Sequence, residues 1–485
     1  MKIAVIGAGF GGLSAAAVLA QAGHEVIVFE KNDQPGGRAR VLTTDDGFTF
    51  DLGPSWYLMP DIYEEFFARF DKQPSDYYEL REIIPSYRAY FDDGPLDIHP
   101  APAAYKDFDT LEPGAGERLG ELLGKTKREY ELVRSQLLQS EGLDVKQLLQ
   151  PAALKMLLNP ELEQTYHGRI AKYVHDPRLQ KILEFMVVFM GGSPSNIPAL
   201  YSLLSWVDFG LRTHYPMGGF GAVARAFESL AREQGVAITY NAPVEHILIK
   251  DGKATAVRVL GVEHSVDAVV ANADYHHVEA DLLEPQARSY SEKYWQSRTM
   301  SPSGIIATLG IKQRLPLAHH NLFFDAPWDD NFQAVFDQGR LHDQPLFYAC
   351  APSQTDPSVA PEGHENVFIL IPVTNAEHPA HAYDTIVDHA IDRIEHQTGR
   401  QFKANIVHRH ILGREYFTET FNAFRGNSFG LAHTRAQSGP LRPRIRSKKV
   451  SNLYFAGQMT NPGTGVSLVV LSGQVAANAL MRYSK

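Results

Sequence analysis

The sequence predicts an α/β protein: a Rossmann-like dinucleotide-binding domain assembled from discontinuous segments, with an inserted α+β substrate domain and a helical region. Three observations predict it. The chain starts MKIAVIGAGFGG, a strand running into a glycine-rich turn that opens a helix. A second strand, EVIVFE, ends on Glu30. A second strand–glycine–helix unit stands at the far end, from Asn452 onward.

Ile3, Val5 and Ile6 form the apolar run of a central parallel strand. Gly7, Gly9 and Gly12 have the GxGxxG spacing. The first permits the tight turn, the second lets backbone approach a pyrophosphate, and the third lets the helix pack close to the strand. The helix from Gly11 to about Ala22 points its N-terminal N–H groups at the phosphates, where the macrodipole favours negative charge. Gly23 ends it, and Glu30 then falls about 20 residues beyond the glycines, where a ribose hydroxyl is bound.

Lys31 follows directly, and Gly36-Gly37-Arg38 supplies a second glycine pair with a guanidinium beside it. That pair lets backbone approach the same cofactor again and sets Arg38 by its phosphates. GAGFGG, then Glu30-Lys31, then GGR resembles the N-terminus of the FAD-dependent amine oxidase and carotenoid desaturase superfamily. In that superfamily Asp51 to Ser55 (DLGPS) is similar to the segment returning beneath the flavin.

At 485 residues the chain has room for two or three domains, and 44% hydrophobic with 21% charged residues is ordinary globular composition. A net charge of −10 argues against a nucleic-acid partner. Cys350 is the only cysteine, which excludes an internal disulfide and a cysteine-based zinc site and suits a reducing cytosol. Lys2, an apolar run and Ala15-Ala16-Ala17 imitate a signal peptide, but the dinucleotide fingerprint explains the same residues better. No stretch approaches the ~18 uninterrupted apolar residues of a transmembrane helix.

Three stretches are expected to build the cofactor domain: residues 1–100, 216–280 and 431–485. Between them lie a helical substrate or membrane-facing region at 101–215 and a substrate domain at 281–430. Leucines and tyrosines recur at three-to-four spacing from Glu117 onward, and the pattern stays helical to about Met190. Asp176-Pro177 reads as a helix start. Asp251-Gly252 reads as a hairpin turn between two strands. Asn452 to Ala456 is one more buried strand, leading into the turn at Gly457, and a helix is expected from about Val466 to Leu480. Its N-terminus suits the flavin's pyrimidine end, where negative charge gathers on reduction.

Together the N-terminal clamp, YPMGGFGAV at 215–223, NAPVEHI at 241–247, VVANAD at 269–274 and the long segment from Arg425 to Val466 resemble the bacterial phytoene desaturase family. The resemblance spans most of the chain. It implies that Gly7, Gly9, Gly12, Glu30, Lys31, Gly37, Arg38, Val244, Gly457 and Val466 contact FAD. Thr464 and Ser467 depart from it, since proline or alanine usually stands at the first and proline at the second.

The resemblance implies desaturation of phytoene or a related polyene, with hydride transfer to flavin and oxygen or quinone as final acceptor. The expected demands on the protein are then an apolar tunnel and correct placement against the ring. No nucleophile, serine triad or paired-carboxylate motif is present, and no proton acceptor is singled out. His433, Arg425 and Glu415 read as structural hydrogen-bonders. His408 and His410 would share one strand face without a third metal ligand, and His276-His277 and His319-His320 would point to opposite faces if extended. The apolar stretches Leu179–Met190 and Ile197–Leu211 suit either a core or an entrance dipping into a bilayer, and six basic residues between Arg435 and Lys449 either a solvated loop or a headgroup contact. The expected location is cytoplasmic and peripherally membrane-associated. The alternatives on this fold are a carotenoid isomerase, an amine oxidase, or a non-enzymatic prenyl-binding escort. The complete double clamp disfavours the escort.

Overall fold

The computed structural model describes residues 1–138, Glu141 and residues 159–483. The part of the expected helical region from 139 to 158, apart from Glu141, lies outside the described residues. One five-stranded sheet has the order Leu453–Phe455, Ala268–Ala271, Lys2–Ile6, Glu25–Phe29, Ala237–Thr239, with every pairing parallel. Its central strand is buried on both faces, which is why apolar residues run through it without alternation. Ile3 and Val5 face the helices Phe10–Gln21, Gly219–Glu233 and Val466–Tyr483. Ala4 and Ile6 face the antiparallel sheet of Val244–Lys250, Lys253–Val259 and Val262–Ser265. Asp251 and Gly252 join the first two of those strands with positive φ at both positions, the geometry that matches the right-handed strand twist.

First and last helices meet without side chains between them at Gly473. A Cβ there would stand 2.0 Å from Ser14 Oγ and 2.1 Å from Gly11 O. Ser14 Oγ donates to Val470 O at 3.0 Å across the same contact. Opposite ends of the chain are thus locked together beside the glycine turn.

A mixed seven-stranded sheet has the order Ile406–Leu412, Ser303–Ile311, Glu365–Val373, Phe347–Cys350, His320–Phe323, Tyr87–Phe91, Gly94–Ile98. One face packs on the helix Ala380–Thr398 through Ile305, Ile369, Val387 and Ile391. The other presents Ile306, Tyr348 and Phe368 to a core shared with Ala115–Leu132 and the short helices of residues 166–209. Strands at 87–98, expected within the first part of the cofactor domain, belong to this sheet instead. The register of Arg88–Tyr90 against Asn321–Phe323 draws them there.

The apolar stretches 179–190 and 197–211 are divided between core and surface, with Val188, Phe189, Leu204, Trp206 and Leu211 half-buried. Leu179, Ile182, Phe185, Met186, Val187, Val207 and Phe209 are buried within the protein core. Asp176 caps the segment, accepting from Arg178 N at 2.8 Å. Among the described residues no helix is long and apolar enough to cross a membrane.

Three carboxyls share one electrostatic signature. Burial pushes Asp51, Asp208 and Glu184 up to about 7. A carboxyl whose folded pKa exceeds its unfolded value favours folding fully below the unfolded value, and that contribution is lost as pH rises through the folded one. The stability these three carboxyls contribute therefore falls from pH 5 to pH 8, against an opposite contribution from the buried His319, His320 and His433, whose pKa values burial lowers. Asp208 accepts from Tyr87 Oη at 3.0 Å, a bond an amide oxygen can keep. Asp208→Asn is expected to flatten that fall and to match or exceed the wild type at pH 8. Equal slopes in the two proteins would show that Asp208 does not titrate in this window.

Candidate functional site

A cavity opens at the carboxyl ends of the five-stranded sheet, at Ile6, Phe29 and Ala456, and reaches the seven-stranded sheet at Ile306, Tyr348, Phe368 and Leu370. Nine of the ten expected cofactor residues line it: Gly7, Gly9, Glu30, Lys31, Gly37, Arg38, Val244, Gly457 and Val466. The tenth, Gly12, lies under the turn. A Cβ on it would stand 2.0 Å from Gly7 O, so its place in the pattern is a packing requirement.

The two glycine loops are pressed into one cradle. Gly36 N donates to Ala8 O at 2.9 Å, and a Cβ on Gly37 would stand 3.2 Å from Gly9 Cα. Glu30 sits at the strand end, 4% exposed, and accepts from Ala8 N at 2.6 Å and Asn32 N at 2.8 Å. The carboxylate therefore bridges both loops before any ligand arrives. Arg38 is half-buried; loss of solvent depresses its pKa while Asp274 opposes that shift. Its Nη2 donates to Asn427 O at 3.3 Å, it lies over the Phe421 ring, and its buried Nε has no partner. A half-buried guanidinium with a free donor beside two bare backbone loops fits a pyrophosphate. Lys31 Nζ instead turns toward Asn422 Oδ1 at 2.9 Å and Glu419 O.

Sequence reasoning missed how much Asn272 does here. Its side chain packs against Gly9, Gly11 and Gly12, within 3.2 Å of where their Cβ atoms would lie, and it lines the cavity. It follows the strand Ala268–Ala271, so a small polar residue directly after a buried central strand was the available signal.

Beyond Val466 the cavity turns apolar. Met59, Met186, Phe189, Leu204, Ile306, Phe368, Leu370, Phe417 and Phe429 line it, with Trp56 and Tyr348 among them. Thr464 and Ser467 line it as well. Thr464 Oγ1 donates to Phe429 O, and Ser467 Oγ lies 3.3 Å from Met59 Sδ. Both hydroxyls are therefore absorbed at the junction of the polar and apolar halves.

The other polar candidates lie elsewhere. His433 is buried and its Nδ1 pairs with Tyr201 Oη at 2.7 Å. Arg425 bonds Gln296 and Glu415 is exposed. His408 pairs with Thr308 Oγ1 at 3.1 Å, while His410 faces outward. In the basic run Arg442 is 3% exposed and donates to the carbonyls of Thr460, Leu431 and Gln458, so it is an internal brace. His276 and His277 sit on the helix Tyr275–Asp281 and pair separately with Glu292 and Asp281.

His319 and His320 do not diverge. Their rings meet at 4.4 Å, because His319 precedes the strand and escapes its alternation. With Cys350 they place potential ligand atoms within 4.8 Å of one another. His320 Nδ1 is already taken by Tyr348 Oη at 2.6 Å, and burial pushes the Cys350 thiol up to about 12.

The family model of flavin-containing amine oxidoreductases matches residues 10–481. The chain is 40% identical over 491 residues to a carotenoid 3,4-desaturase of Haloarcula japonica, covering 99% of this chain and 98% of that protein. It is 34% identical over 492 residues to a zeta-carotene-forming phytoene desaturase of Myxococcus xanthus, covering 100% of this chain and 94% of that one. An oxidoreductase from Methanosarcina mazei has the same fold at a TM-score of 0.66 and 19% identity, covering 99% of this chain and 100% of that chain.

Proposed function

The chain belongs to the flavin-containing amine oxidoreductases, and from that premise we propose that it is an FAD-dependent desaturase of phytoene or a related carotenoid polyene. The observation that carries this reading is a continuous cavity whose polar end is a double glycine cradle and whose other end is walled by Met, Leu, Phe and Ile side chains. FAD, when bound, supplies the hydride acceptor for forming a new carbon–carbon double bond, with oxygen or a quinone as the class of terminal acceptor.

The chain's own residues supply the rest. In this reading the backbones of Gly7, Gly9 and Gly37 receive the dinucleotide, with Arg38 on its phosphates and Glu30 on a ribose. Lys31, Val244, Gly457 and Val466 complete the contacts, and Gly12 holds the turn. N–H groups opening the helix Val466–Tyr483 face negative charge that develops beside them. The apolar walls exclude water and hold an extended polyene in one line. The five-stranded sheet and its helices form the cofactor part, and the seven-stranded sheet with the helices packed on it the substrate part.

A polyene substrate dissolves in membranes rather than in water. We therefore assign the protein a peripheral position on the cytoplasmic membrane surface. Flotation of the purified protein with anionic liposomes tests that assignment, and complete recovery in the liposome-free fraction would overturn it.

The deciding experiment is expression in a phytoene-accumulating bacterium followed by pigment extraction. The expected result is a polyene of longer conjugation, and a yellow purified protein. Unchanged phytoene beside another converted carotenoid would move the substrate within the class. Conversion of no polyene would end the reading.

A further inference from the structure

Desaturation removes a proton as well as a hydride, and the cavity holds few groups able to take it. Glu30 and Asp274 are at the polar end, each already accepting from backbone N–H groups: Ala8 and Asn32 for the first, His276, His277 and Phe424 for the second. His277 uses both ring nitrogens, on Asp281 and Asn422. The hydroxyls of Ser428, Thr464 and Ser467 are paired with carbonyls or a thioether.

Tyr348 differs. It projects from the strand Phe347–Cys350 into the apolar half, and its Oη lies 2.6 Å from His320 Nδ1 on the neighbouring strand. Among the described lining residues it is the one hydroxyl paired with an imidazole nitrogen. His320 is fully buried, with its Nε2 left without a partner, and its ring is stacked at 4.3 Å on Trp56, another cavity wall. Such a costly burial of an imidazole behind a phenol calls for a use.

We propose that Tyr348, backed by His320, is the proton acceptor of the desaturation. The inference rests on the desaturase reading. After hydride departs, the electron pair of the adjacent C–H bond becomes the new π bond. Its proton passes to Tyr348 Oη as the phenolic proton moves to His320 Nδ1. One hydride and one proton have then left the substrate, and the charge gained by the imidazole equals the charge lost by the polyene cation. Burial, with His319 adding to it, holds the His320 pKa well below its ordinary value. This suits the step, because a polyene cation is a far stronger acid than any imidazolium. The same low basicity returns the proton to water once product leaves.

The test uses the FAD-loaded protein with detergent-dispersed polyene, mixed without oxygen while flavin bleaching and product are followed. Tyr348→Phe and His320→Gln are expected to retain wild-type FAD content and half-saturating polyene concentration while the single-turnover rate of product formation falls ~100-fold or more. Gln keeps a hydrogen-bond acceptor without a base, so a merely structural His320 would be rescued by it. With substrate deuterated at the carbon that loses the proton, product formation by Tyr348→Phe should show a larger isotope effect than the wild type. Turnover of both variants within a few-fold of wild type would overturn the proposal. So would stoichiometric zinc or copper in the purified protein, which would make His319, His320 and Cys350 a metal site. A wild type that bleaches with no polyene removes the desaturase premise, and the proposal with it.

Discussion

Gly12→Ala is expected to yield a protein that retains no flavin. The new Cβ would lie 2.0 Å from Gly7 O, and Asn272 Cβ and Nδ2 stand 3.2 Å away on the other side. Gly7 cannot yield, since its N–H is fixed to Phe29 O at 2.8 Å and its φ is +97°. The helix Phe10–Gln21 cannot back away either, because Gly473 presses the last helix against it. Overpacking of this kind costs about 3 kcal/mol. Spent on the turn that receives the pyrophosphate, it weakens FAD binding ~100-fold. Titration of apoprotein with FAD, read by quenching of flavin fluorescence, measures this directly. Gly23→Ala is the matched control. Its φ is +84° but nothing lies within 4 Å of the added Cβ, so it should cost only about 1 kcal/mol and leave FAD binding intact. Equal FAD affinity in Gly12→Ala and wild type would refute the packing role of Gly12.

The second large effect is expected far from the glycines. Arg169 is 0% exposed, donating from Nη1 and Nη2 to Glu129 at 2.7 and 2.9 Å and from Nη1 to Ser202 at 2.9 Å. That ties together the helix Ala115–Leu132, the short helix Tyr166–Ile170 and the turn Ala199–Leu203, which leads directly into the segment whose Leu204 and Val207 line the cavity. Glu129→Ala leaves the buried guanidinium with Ser202 as a neutral partner and, among the described carboxylates, Glu161 alone at 3.5 Å. A broken buried pair destabilises by about 3–5 kcal/mol. The urea midpoint should fall accordingly, and polyene turnover should fall with it while FAD stays bound. Adding Arg169→Met removes the stranded charge and should recover most of the loss. A midpoint unchanged in Glu129→Ala would mean that water already solvates the guanidinium.

These two sites were unequally legible in the sequence. The spacing of Gly7, Gly9 and Gly12 and the acid at Glu30 could be read because dinucleotide binding is done by backbone within one strand–turn–helix unit. Every constraint there lies within a few residues along the chain. Nothing in the sequence around Arg169 or Glu129 announces that both will be covered. The stretch from Phe185 to Met190 could be read as core or as membrane contact, because hydrophobicity says that water is avoided but not what replaces it. His319 and His320 were expected to diverge, and they converge because strand alternation stops one residue before His320.

The sequence by itself determined the family's cofactor, the double glycine clamp and the apolar character of what the protein must hold. The clamp follows from local backbone geometry, and the flavin and the apolar ligand from the family resemblance that its motifs carry. Only the tertiary structure decided which strands join which sheet, that residues 87–98 pair beside His320–Phe323, and that Trp56, His320 and Tyr348 meet at one wall of the cavity. Such meetings depend on pairing register and on packing between segments far apart in the chain, and no residue's identity encodes its distant neighbour.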